Sequence, residues 1–360
     1  MVVSKPHPTS VDVRLWPGLA ICTALQMVYV VDELPGVGDA FEALRRSLDP
    51  ALADAILVSL LAHLPAALTS LALEAQVTDL EPNMFLDWVE GLDAQALAER
   101  ARTVKEAKDA DLQGRIRSPR SSGSEDPIDW VRKQASGEQL ERAASLLDND
   151  VDALKLVLTD ALRPFWRDHL QALFAPRAAI MAQAVEELRS QQRVTDLPLM
   201  LERVLGRTLP HLSENLFGQE RVLLVPFPFM GPYLLSAADK PQQIMILAFD
   251  AERALRMLSY AGEGIDISVL KALADETRLK ILRFVGKGER FGVEIVTHLQ
   301  ISQPGVSRHL RLLTASGLLR VRQEGTTKYY SISDTRLDRV AKGIRALSEE
   351  PENANKDGAQ

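Results

Sequence analysis

The residues with the most specific chemistry lie near the C-terminus, in SQPGVSRHLRLLTASGLL, Ser302 to Leu319. Arg308 and Arg311 carry planar forks of donors. Such a fork can bond two acceptors of guanine at once, or a backbone phosphate. Ser302, Gln303 and Ser307 add short polar groups that could reach base edges or phosphates. A basic, short-polar face of this kind suits the major groove of duplex DNA. Arg308 is the best candidate for a bidentate guanine contact, worth about 1–3 kcal/mol of discrimination.

The surrounding spacing predicts the element that would present these groups. Ser302 can cap a helix, and Pro304 falls in its first turn, where a missing N–H costs little. Val306, Leu310 and Leu313 recur at i, i+4 and i+7 and form an apolar stripe, with Ser307, Arg308 and Arg311 on roughly the other side. Gly317 supplies the stop. His309 lies beside the stripe by angle, so it reads either as a contact residue or as a structural one.

Upstream, Asp275 can cap a helix containing Leu279, Ile281, Leu282 and Val285, broken by Gly286 and Gly288. A shorter helix from about Gly292 to Leu299 and the turn Gln300–Ser302 complete a helix-turn-helix. Downstream, two β-rich runs flank Glu324–Thr326 and read as a hairpin, with Arg320, Arg322 and Lys328 putting positive charge on this wing. Tyr329 and Tyr330 alternate faces, so one belongs to the core.

These residues also carry a family resemblance. LADETRLKIL, SQPGVSRHLRLL, the ending Ala315–Leu319 and R-x-E-G-x-x-x-Y-Y-x-I at Arg322–Ile332 resemble the ArsR family of bacterial winged-helix transcription regulators. The four blocks stand in order over about seventy residues, a fifth of the chain. The resemblance implies sequence-specific binding of double-stranded DNA as a homodimer; repression is the expected mode, and activation is the alternative that the sequence leaves open. It implies pairing through the flanking helices, for which Ile267–Leu273 and Leu337–Leu347 are the matching segments. Members that sense soft metals carry cysteines in the helix before the recognition helix, but FGVEIV at Phe291–Val296 has none. Others use Asp, His and Glu on the last helix. Here Asp334, Asp338 and Glu349 occur without a histidine, so neither metal site is expected.

The chain has 360 residues, 46% hydrophobic and 25% charged, with a net charge of −7. Gly264–Ser333 holds 11 Lys/Arg and 6 Asp/Glu, a balance of +5, which leaves −12 elsewhere (−7 − 5). A basic module on an acidic body is expected where only one part touches DNA. One cysteine, Cys22, excludes an intrachain disulfide framework and suits a reducing, cytoplasmic setting. Ala55–Leu73 is long enough to span a bilayer, but Pro65 and its polar residues make a buried, broken helix the better reading, so no membrane partner is expected.

The expected fold is mainly α (α+β). A loose start at 1–10 precedes a mostly helical N-terminal domain at 11–260, with a flexible loop at 109–127 containing Arg115, Arg117 and Arg120. Runs at Arg221–Val225, Tyr233–Ser236 and Gln243–Phe249 read as strands of a small sheet, with Pro226, Pro228, Gly231 and Pro232 forcing turns. The winged helix-turn-helix with its last helix occupies 264–348, and a disordered tail 349–360. This layout resembles ArsR-like regulators with a large N-terminal domain of obscure role.

That domain shows no GxGxxG, Walker A, GxSxG, HExxH or CxxC pattern, so no enzyme activity and no cofactor are expected. Asp168–His169 reads as a polar pair rather than a site. The N-terminal domain is then expected to sense an effector, small molecule or protein, or to assemble the regulator. The alternative makes it an enzyme or protein-binding module, with the winged helix serving protein contacts.

Overall fold

The computed structural model describes residues 10–37, 39–117, 127–192, 200–202, 204, 219–239, 242–259, 267–324 and 327–346. The chain enters through strand β1 (Ser10–Val13) and the buried helix α1 (Pro17–Val30), which ends in a 3-10 turn, Val31–Glu33. Then come α2 (Ala40–Ser47), α3 (Pro50–Leu61), α4 (Leu64–Glu74), α5 (Pro82–Gly91), α6 (Ala94–Arg117), α7 (Pro127–Gln134), α8 (Gly137–Asn149) and α9 (Val151–Pro164). Several starts are set by caps. Asp49 accepts the N–H of Ala51 and Leu52, Asp150 accepts that of Ala153, and Ser136 with Gln139 forms a reciprocal capping box.

The two prolines behave differently. The long apolar run divides into α3 and α4 at Ala62–His63, where His63 takes φ 59°, and Pro65 sits in the first turn of α4. Pro164 closes α9 without interrupting the helical path, which continues as a π turn (Phe165–Leu170), α10 (Gln171–Phe174), a 3-10 turn and α11 (Ala178–Gln192). Among the described residues no single helix is long and apolar enough to cross a membrane. The pair α3–α4 meets that measure only jointly, across a 64° bend. Ile56, Val58, Leu64 and Leu68 of this pair are fully buried in the main core.

Strands β2 (Arg221–Phe227), β3 (Leu234–Asp239) and β4 (Ile244–Asp250), with helix α12 (Ala251–Ser259), complete the N-terminal part. The sheet order is β1-β2-β4-β3, parallel except for the edge strand β3. One face, with Leu223, Val225, Phe227, Ile244 and Ile246, joins the helical core. The other, with Val222, Leu224, Met245, Leu247 and Phe249, packs on Val185, Leu188, Ala254 and Leu258 of α11 and α12. Two covered faces explain the continuous apolar runs of β2 and β4.

Several sequence expectations need correction. The loop placed at 109–127 is helical through Arg117, and helix resumes at Pro127; Arg120 lies outside the described residues. Ser10 belongs to β1 rather than to the loose start. Pro226 lies inside β2 instead of turning the chain. β1 ends opposite Leu224, so no strand faces the nitrogen of Pro226 on that side. Leu279, read among the apolar residues of the Asp275-capped helix, is 39% exposed. Residues 1–9, the hairpin tip Gly325–Thr326 and the tail lie outside the described residues.

The C-terminal module comprises α13 (Ile267–Leu273), α14 (Glu276–Val285), β5 (Arg290–Phe291), α15 (Gly292–Leu299), α16 (Gln303–Ala315), β6 (Leu319–Glu324), β7 (Thr327–Ile332) and α17 (Asp334–Ala346). A three-stranded sheet, β5-β7-β6, forms the wing. Ile281, Val285, Ile295, Val306, Leu310, Leu313 and Leu319 share its core.

Candidate nucleic-acid interface

Helix α16 begins where its sequence requires. The Ser302 hydroxyl accepts the Gly305 N–H at 3.4 Å, and Gly317 takes φ 78° at the exit. Gln300 closes α15 in the left-handed region at φ 55°, which sets the turn between the two helices. Asp275 caps α14 through the Arg278 N–H at 2.8 Å. Its carboxylate also lies 3.8 Å from His309 Nδ1. His309 therefore stands between α14 and α16. Burial, ahead of its charged neighbours, holds its pKa below the ordinary histidine range.

Ser302, Gln303 and Ser307 are exposed on the first half of α16. The second half is covered. Arg311 donates to the backbone carbonyl of Glu33 and, at 3.1 Å, to its carboxylate, and its guanidinium lies 4.5 Å above the Trp130 ring. Arg308 Nη1 is 3.8 Å from the same carboxylate. Leu312 is 4% exposed, and a Cβ placed on Gly36 would meet its Cδ1 at 3.0 Å. Ala315 belongs to the core of the helical body.

At about 100° per residue, Arg308, Arg311, Leu312 and Ala315 fall within about 100° of arc opposite Val306. The helical body therefore sits on the outward face of α16. Sequence reasoning missed Glu33, Gly36 and Trp130, which are remote in the chain. It also missed Leu312 and Ala315, whose apolar character off the Val306 stripe was the available signal.

On the wing, Arg320 is exposed. Arg322 pairs with Glu289 at 2.6 Å and Glu324 at 2.9 Å and lies 4.6 Å above Tyr329. These carboxylates hold its pKa above the ordinary arginine value. Lys328 is half-buried on β7. Tyr330 packs against the module core, and burial raises its hydroxyl pKa.

Elsewhere, Asp168 pairs with Arg167 at 2.6 Å, while His169 is 3.5 Å from Ser47. Among the described residues no group of His, Cys, Asp and Glu could hold a metal ion. A cavity of about 830 Å³ opens between β1, β2, α4 and α6, with Arg14, Arg100 and Arg221 on its wall. Arg14 is tied to Asp12 and Thr78, and Arg100 to Glu74 and Ser70.

The residues of α14, α15 and α16 fall within a sequence match to a known family. The description "Bacterial regulatory protein, arsR family" matches residues 275–321. The chain is 37% identical over 81 residues to the transcriptional activator HlyU of Vibrio cholerae, covering 22% of this chain and 75% of that protein. The chain belongs to the arsR family. It is also 44% identical over 78 residues to a probable mercury resistance operon repressor of Streptomyces lividans. That match takes in 22% of this chain and spans 62% of the relative's length. Among solved structures, an ArsR-like transcriptional regulator from Rhodococcus sp. RHA1 is 29% identical, covering 26% of this chain and 84% of its own, with a TM-score of 0.23.

Proposed function

We propose that this arsR-family protein is a sequence-specific DNA-binding transcription regulator that acts as a homodimer and represses. Residues 11–260 serve as the part that senses an effector or governs assembly. The observation that carries the reading is the capped helix α16, with Ser302, Gln303 and Ser307 exposed and Arg308 and Arg311 on its outward side, beside a wing carrying Arg320, Arg322 and Lys328. In this reading Arg308 reads guanine and the wing cations meet phosphates. His309 positions α16 from between the two helices. Dimerisation is proposed because a helix-turn-helix gains affinity by reading two half-sites at once. The relatives' names divide between repressor and activator. Repression is our reading because a dimer seated on a promoter needs no further contact to block it.

The contact between α16 and the helical body also favours the alternative, in which the winged helix serves protein contacts. Fluorescence anisotropy separates the two. DNA from upstream of the protein's own gene, with sites selected from random sequence as a second source, is compared with scrambled DNA across a salt series. The regulator reading expects a preference of at least about a thousandfold, a steep loss of affinity with salt, and loss of the preference in Arg308→Ala. Weak, sequence-indifferent binding to every selected site would sink it and leave the alternative.

A further inference from the structure

The outward face of the recognition helix is occupied by the protein's own body. The Glu33 carboxylate bonds Arg311 at 3.1 Å and lies 3.8 Å from Arg308, whose side chain keeps 43% exposure. Trp130 covers the flat side of the Arg311 guanidinium. Side-chain exposure falls to 20% for Arg311 and 27% for Glu33, so the pair is partly withdrawn from solvent.

The turn that carries Glu33 is itself held from behind. Gly231 and Gly36 are in such close approach that a Cβ on Gly231 would lie 2.5 Å from the Gly36 oxygen. The Tyr233 hydroxyl donates to the Pro35 carbonyl at 2.8 Å. The β2–β3 connection therefore presses the turn 33–37 against Leu312.

Resting on the DNA-binding reading above, we propose that residues 33–37 and Trp130 form an intramolecular docking surface for α16 that must be vacated before α16 enters the major groove. The carboxylate of Glu33 mimics phosphate, and the Trp130 ring takes the place that a sugar or base would take against the guanidinium. Helix α16 cannot present Arg311 to DNA while it is bonded to Glu33, while Leu312 faces Gly36 and while Ala315 is buried in the core of the body. The structure is thus the closed form, and the DNA-binding form has the module released. Apparent affinity for DNA is the intrinsic affinity scaled by the released fraction.

The test uses the full chain and an operator obtained by selection with wild type and with Glu33→Gln. Glu33 lies on a surface turn, so the substitution leaves the core intact. Asp32→Asn is the control. It removes the same charge one residue away, from a side chain paired with Arg45 at 2.8 Å rather than with α16.

Glu33→Gln is expected to bind the operator about tenfold more tightly, and Asp32→Asn to stay within about twofold of wild type. Hydrogen exchange adds a readout that a merely structural Glu33 would not move: on adding operator to wild type, residues 31–37 lose protection while α16 gains it. If wild type binds its operator specifically and the two variants behave alike, the docking surface is refuted and the regulator reading survives. If no variant selects any sequence, the regulator reading falls and this proposal falls with it.

Discussion

Gly231→Ala tests the packing behind helix α16 most directly. Gly231 has φ 55°, and an added Cβ would stand 2.5 Å from the Gly36 carbonyl oxygen and 3.5 Å from Val37 Cα, all backbone atoms. Backbone cannot swing aside as a flexible side chain can. The left-handed conformation costs an L-residue about 1–2 kcal/mol. Forcing an extra methyl into a packed site costs about 1–3 kcal/mol more. The sum is about 3 kcal/mol, which at roughly 2–4 °C per kcal/mol for a domain of this size lowers the melting temperature by roughly 6–12 °C.

Gly137→Ala is the matched comparison. Gly137 opens α8, nothing lies within 4 Å of its added Cβ, and its φ is not in the left-handed range. That change should raise stability by up to about 1 kcal/mol. Calorimetry of the two variants beside wild type settles the point. Gly231→Ala melting with wild type would refute the interlock. A second readout separates local from global effects: Gly231→Ala pushes the turn 34–37 away from Leu312, so its affinity for operator should rise even as its melting temperature falls.

Two further outcomes are expected. Asp275→Ala removes a helix cap and the acceptor for the Arg278 N–H, and should lower the urea midpoint of the module by the equivalent of about 1–2 kcal/mol; an unchanged midpoint would show that the cap is dispensable. His309 has its folded pKa below the unfolded value, so the unfolded chain binds the extra proton as pH falls below the ordinary histidine range, about 6.5. Stability should therefore fall between neutral pH and about pH 5 and stay flat above. His309→Gln should flatten that dependence, and equal slopes for the two proteins would contradict the assignment.

Local features of the module could be read from residue types alone. Ser302, Pro304 and Gly317 delimit α16, and Gly292–Leu299 is a helix with the expected bounds, because caps and glycines act through neighbours in sequence. The wing's third strand was not legible. Arg290–Phe291 is too short to show a period, and only its pairing with Tyr330 and Tyr329 makes it a strand. The runs at β2 and β4 were recognisable, but their parallel order with β1 was not. Val13 and Leu224 are paired across the entire helical body, and no local signal reports so distant a contact. The extent of α6 was missed because its second half is mostly polar and runs into a Ser/Gly/Pro-rich stretch, which together look like loop composition.

The face of α16 failed for a different reason. Its basic residues were identified, but a basic residue suits carboxylate and phosphate alike. Which partner it meets depends on Glu33 and Trp130, and nothing in α16 itself encodes that choice.

The proposed competition of carboxylate and phosphate for Arg308 and Arg311 has a consequence for salt dependence. Binding DNA releases counterions from the phosphates, so affinity falls steeply as salt rises. Opening the closed form runs the other way, because separating Glu33 from Arg308 and Arg311 exposes charges that salt then screens. Salt therefore lowers the cost of opening in wild type while weakening the DNA contact in both proteins. Glu33→Gln has lost the salt-sensitive part of the opening cost while keeping the contacts of Trp130, Leu312 and Ala315, so its affinity should fall more steeply with salt than that of wild type. The tenfold advantage at low salt should shrink toward unity as the ionic strength approaches about 1 M, where the screening length is about 3 Å and comparable to the ion pair itself. Parallel salt plots for the two proteins would mean that Glu33 does not compete with DNA for these arginines.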